Sequence, residues 1–105
     1  MIRNSTTERE IRDWLTGNGY YGRSARFQEV ELHAIQRPGW LQIFRFSVTA
    51  RNEDDEWHDL FGLLRDDERY RRLDVEIFPN ESQRNELLQE WSKGLIVRRS
   101  RHERN

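Results

Sequence analysis

The sequence predicts an α+β fold: a two-layer sandwich in which two helices cover one face of a four-stranded antiparallel sheet, in the order α-β-β-β-β-α. Three observations carry that expectation. Apolar residues recur at i, i+3 and i+4 near both ends of the chain and at every second position between them. Clusters of Gly, Pro, Asn and acidic residues separate these runs at the spacing of turns. Four Trp, five Phe and three Tyr supply a core to a chain that is 35% charged and only 34% hydrophobic.

The elements follow in order. Thr7 and Glu10 have the spacing of a capping box. Ile11, Trp14 and Leu15 then share one helical face, and Gly17-Asn18-Gly19 stops the helix, which is placed at residues 8–16. So short a helix needs a docking surface. Residues 18–26 read as a loop. From Phe27 to Gln36 the chain alternates, with Val30, Leu32 and Ala34 on one face. Pro38-Gly39 turns it. From Trp40 to Arg51, Phe44, Phe46, Val48 and Ala50 oppose Ile43, Arg45, Ser47, Thr49 and Arg51. The acidic run Asn52 to Glu56 is a loop. Trp57 to Arg65 is a third strand and Leu73 to Phe78 a fourth. Asn80 caps a second helix with Gln83 three residues on; Leu87, Leu88 and Trp91 form its apolar stripe, and Gly94 ends it. Leu95-Ile96-Val97 is a short apolar segment for the sheet edge or the core. One domain therefore spans residues 7–97, and residues 98–105 form a basic tail expected to be disordered.

Register follows from matching apolar with apolar, because a one-residue slip turns every side chain to the other face. Leu32 opposite Phe44 places Val30 opposite Phe46 and Glu31 opposite Arg45. Val48 opposite Leu60 places Phe46 opposite Gly62, where a ring can cover the strand glycine. Both pairings turn Phe44, Phe46 and Val48 toward the helices. The first leaves Arg37-Pro38-Gly39 as a three-residue loop whose middle position suits Pro poorly.

Charge and chemistry narrow the function. The formal net charge is −1, with 18 basic and 19 acidic residues, and all the basic residues but Lys93 are Arg, a bias that a GC-rich genome gives without any function and that also suits planar bidentate pairing with carboxylates or phosphates. Residues 98–105 carry four Arg and one Glu, a net of +3, which leaves −4 for residues 1–97. With no cysteine, disulfides, thiolate metal sites and cysteine nucleophiles are excluded. No run approaches the ~18 apolar residues of a membrane span. No basic-then-apolar leader opens the chain, so a cytoplasmic protein is expected.

The three histidines, His33, His58 and His102, share no ligand spacing, and no G-x-S-x-G elbow or Gly-rich phosphate loop occurs. The loop Glu53-Asp54-Asp55-Glu56 lacks the alternating ligands and glycine of an EF-hand and reads as a solvated turn. Asp74 and Glu76 share a face of the fourth strand, but Lys93, the one lysine a nuclease-like metal site would recruit, lies on another element. No catalytic, cofactor-binding or metal-ligating residue is assigned, no cofactor is expected, and the reading leans away from an enzyme.

What remains is the sheet face turned away from the helices. It carries Ile35, Leu41, Ile43, Trp57, Phe61 and Leu63 among Glu31, Arg45, Thr49, Arg51 and Asp59. Aromatics and Arg among polar residues are the composition of an interface. The expectation is a small non-catalytic domain that binds a protein partner, or a second copy of itself, through Ile43, Arg45, Arg51, Trp57 and Phe61. The alternative is a nucleic-acid-binding module that stacks bases on Trp57 and Phe61 and contacts phosphate with the Arg-rich tail. It is the weaker reading, because Glu29, Glu31, Asp59, Asp74 and Glu76 would repel phosphate. A third reading, a small-ligand pocket lined by Trp14, Trp91 and the Tyr20-Tyr21 loop, competes with ordinary core roles for both tryptophans.

Overall fold

A computed structural model describes residues 5–36 and 39–98. Helix α1 spans Ser5–Thr16, and a 3-10 turn at Gly22–Ser24 leads into strand β1, Arg26–Gln36. Strands β2 (Leu41–Arg51), β3 (Trp57–Asp67) and β4 (Arg72–Phe78) follow as a meander. Helix α2 covers Glu81–Ser92, and β5 is the pair Ile96–Val97. The strands form one antiparallel sheet in the order β4-β3-β2-β1-β5. No helix among the described residues is long and apolar enough to cross a membrane.

The sheet has five strands where the sequence suggested four. After α2 the chain returns to the far edge, where Ile96 pairs with Ile35 and Val97 with Ala34. Two residues are too few to show period two. Helix α1 also begins earlier than its pattern indicated, so Thr7 is buried inside it rather than standing at its N-cap. Asn80 does cap α2, its Oδ1 accepting the amide of Gln83 at 2.9 Å.

The central register matches both apolar pairings. Val30 and Leu32 face Phe46 and Phe44, and Glu31 faces Arg45. Phe44, Phe46, Val48 and Thr49 face Leu64, Gly62, Leu60 and Asp59. Two bulges in β1, at Gln28 and His33, were invisible in the alternation. The second corrects the placement of Ala34. Val30 and Leu32 point to one face of the sheet, but past His33 the phase slips and Ala34 turns to the other, opposite Ile43. The same slip pairs Gln36 with Leu41, which lengthens the connection to residues 37–40. Arg37 and Pro38 of that connection lie outside the described residues.

The largest correction concerns the layers. Ile11 and Leu15 of α1 are fully buried on the face of Phe44, Phe46, Val48 and Leu64. Leu88 of α2, flanked by Leu87 and Trp91, packs instead with Ala34, Ile43 and Leu63, which belong to the opposite face. The helices thus lie on opposite sides of the sheet, with a core under each. Period two assigns each strand residue to a face, but it does not say on which side a following helix docks. The central strands held a sign of it. Leu41 to Phe46 and Leu60 to Leu64 carry apolar residues of both parities, the pattern of strands covered twice. Each helix has 12 residues and is about 18 Å long, whereas an eleven-residue strand runs about 36 Å. Neither helix can cover its whole face.

The 3-10 turn is locked to α1 at Gly22. Arg12 Nη1 donates to the carbonyls of Gly22 and Ala25, each at 3.0 Å. A Cβ on Gly22 would press on the backbone carbonyl of Arg12 and on Thr16 Oγ1. Backbone cannot swing aside as a long side chain can. Gly22→Ala should therefore destabilise by about 2 kcal/mol and lower the thermal midpoint by about 10 °C, read by circular dichroism.

Candidate functional site

The surface that the sequence singled out is divided by α2. Ile43 is fully buried beneath that helix. Phe61 is partly covered, with the guanidinium of Arg84 5.8 Å from its ring centre. Arg45 is spent on the sheet itself, its Nη2 lying 3.0 Å from Glu31 Oε2 and 3.5 Å from Glu29 Oε2. Only Arg51 and Trp57 stay at the surface. The five residues form no continuous docking face, because α2 stands on the middle of it.

Arg84 is the residue the sequence reading missed. An arginine in a helix of alternating charge looks solvated, yet it is only 2% exposed. Its Nη1 donates to the carbonyl of Phe46 at 3.2 Å, Nε to Asn85 Oδ1 at 3.0 Å, and Nη2 lies 3.5 Å from Glu81 Oε2. Nη1 is also 4.0 Å from Glu29 Oε1. Burial lowers the Arg84 pKa, a shift opposed by Glu29 and added to by Arg45. Burial likewise raises that of Glu29 above the ordinary carboxylate range; Arg45 and Arg84 oppose the rise, and Glu31 adds to it. Glu29, Glu31, Arg45 and Arg84 therefore work as one network that fastens α2 to the sheet.

Beyond α2, the start of β3 is bare. Trp57 is 51% exposed and Tyr21 43%. Arg26 lies over the Trp57 ring at 5.5 Å and Arg51 over the Tyr21 ring at 4.8 Å. In the next row along the strands runs a polar ladder: Gln28 Nε2 donates to Thr49 Oγ1 at 3.0 Å, and Thr49 Oγ1 donates to Asp59 Oδ1 at 2.8 Å. Arg51 also pairs with Asp55 at 3.3 Å. Two exposed rings, each with a guanidinium over it, thus lie next to a hydrogen-bonded polar strip.

The other sites proposed from sequence separate in space. Trp14 belongs to the core under α1 and Trp91 to the core under α2, so they line no common pocket. In the acidic loop, Asn52 Oδ1 accepts the amides of Asp54 and Glu56, each at 2.9 Å, and thereby sets the turn. Among the described residues no three acidic or histidine side chains gather into a metal-binding group. With Phe61 under Arg84, a nucleobase platform would rest on Trp57 alone. The Arg-rich tail lies outside the described residues after Arg98, whose amide donates to the carbonyl of His33 at 2.7 Å. No family model, curated protein or solved structure matches the chain.

Proposed function

We propose that this chain is a non-catalytic binding domain that engages a protein partner through the uncovered end of the sheet, centred on Trp57. The observation that carries the reading is the half-exposed Trp57 ring beside Tyr21, with Arg26 and Arg51 laid over them. Trp, Tyr and Arg are the residues that most often dominate binding energy at protein interfaces. The partner is another protein or a second copy of this chain.

The test is Trp57→Ser. Half of the indole is already in water, so the variant should fold with stability within about 0.5 kcal/mol of the parent. Loss of a central anchor weakens binding about 30-fold. Light scattering over a concentration series reads self-association, and affinity capture with the intact chain, followed by titration of the captured protein, reads a foreign partner. A monomer whose captured partner binds parent and Trp57→Ser equally well refutes the proposal. Binding of an oligonucleotide that weakens steeply with salt would favour the nucleic-acid alternative instead.

A further inference from the structure

Strand β4 is the outermost strand on its side, so one row of its backbone N–H and C=O groups has no strand beside it. Its side chains divide cleanly. Asp74 and Glu76, opposite Arg65 and Leu63, turn to the α2 side of the sheet. Leu73, Val75 and Ile77, opposite Asp66, Leu64 and Gly62, turn to the α1 side. A strand laid along β4 would extend both rows, because residues directly opposite each other share a face.

On the α2 side the acidic row continues into a groove of about 760 Å³ between α2 and strands β3 and β4. Phe78, Leu87 and Trp91 supply its apolar surface, and Glu76, Glu86 and Glu90 its charge. The cations nearby are already engaged. Arg65 donates from Nη2 and Nε to Asp74 Oδ2 at 3.0 and 3.2 Å and lies 4.3 Å over the Trp91 ring. Arg72 reaches Asp74 at 3.7 Å, and Lys93 reaches Glu90 at 3.8 Å. Among the described residues no cation pairs with Glu76 or Glu86. A lysine or arginine entering here would lay its methylenes on the apolar surface and bring its charge to those carboxylates. On the α1 side Leu73 is 43% exposed, and an apolar neighbour would cover it.

We infer that β4 receives an extended segment of a partner protein, in which basic residues facing α2 alternate with apolar residues facing α1. This is strand addition, with backbone hydrogen bonds supplying affinity and alternate side chains supplying selectivity. A second copy of this chain is the wrong occupant. Of the residues that β4 turns to the α2 side only Arg72 is basic, and it already reaches Asp74, so a second β4 brings no row of alternating basic side chains. The β4 edge is separate from the Trp57 surface and does not depend on it.

The probe is the blocked heptapeptide Val-Arg-Val-Arg-Val-Arg-Val, with the Glu-for-Arg peptide as control, titrated into the intact chain at low salt and followed by amide NMR shifts. The expected result is saturable shifts in β4 and α2 and at least about tenfold preference for the arginine peptide. The Glu76→Gln/Glu86→Gln/Glu90→Gln variant, changed only at exposed side chains, should keep its spectrum and lose about tenfold in affinity, the sum of three surface ion pairs. N-methylation of alternate residues along one edge of the peptide should abolish binding, and along the other edge leave it intact. Equal affinity for both peptides, full affinity in the triple variant, or shifts centred on the 53–56 loop overturns the inference. So does a dimer of the chain that the peptide dissociates, which would give the edge to a second copy. Shifts confined to Trp57 and Tyr21 refute it while leaving the other surface standing.

Discussion

Gly62→Ala should destabilise the protein by about 3 kcal/mol, at the upper end of what overpacking costs. Gly62 sits opposite Phe46 in the middle of the sheet, and the Phe46 ring lies across it. A Cβ on Gly62 would stand 2.6 Å from Phe46 Cε2 and 2.7 Å from Cε1, well inside van der Waals contact. An exposed ring would rotate out of the way. Phe46 is fully buried, enclosed by the same core that holds Ile11, Val48 and Leu64, so the strain has no outlet. The contact predicts a double-mutant cycle. Phe46→Leu alone leaves a cavity, but in that background the added methyl of Gly62→Ala has room. The pair should therefore lose about 1–2 kcal/mol less than the sum of the single losses. Urea unfolding of the four proteins measures it; strict additivity would mean that the ring and the glycine do not constrain each other.

Arg84→Met should cost about 3 kcal/mol although it keeps most of the side-chain volume. The loss has two parts. The Phe46 carbonyl loses the donor at 3.2 Å, and the partly buried Glu29 loses one of its two cations. The parts separate with pH. A carboxyl whose folded pKa is raised contributes stability that is complete below its unfolded pKa and is lost as pH rises through the folded value. Glu29 is such a group, and without Arg84, which opposes the rise, its pKa goes up further. The deficit of Arg84→Met should therefore be largest near neutrality and narrow on acidification toward about pH 4. The share due to the Phe46 carbonyl stays constant. Adding Glu29→Gln should recover part of the neutral-pH loss and flatten that pH dependence. A deficit that is the same at both pH values would assign the whole effect to packing and the carbonyl.

The strands and their pairing were legible because β2 alternates strongly and offers partners of matching character on either side. Phe44, Phe46 and Val48 fixed two registers at once, and the glycine beneath Phe46 agreed with both. The side on which α2 docks was not legible. Leu87, Leu88 and Trp91 say that this helix is amphipathic, but not which sheet face it meets. That choice rests on Ile43 and Leu63, which taken singly resemble scattered surface residues, and on Arg84, whose burial depends on a carbonyl and a carboxylate from other elements. The surface proposed from sequence is accordingly divided. Trp57 and Arg51 stand at a strand end that α2 does not reach, whereas Ile43 and Phe61 lie where it does.

The His33 bulge has a consequence for how the molecule comes apart. Because β1 changes phase there, Val30 sits in one apolar cluster and Ala34 in the other. A single ribbon of chain is thus threaded through both halves of the interior. Peeling it away wets both at once, so loss of β1 exposes the bed of each helix together.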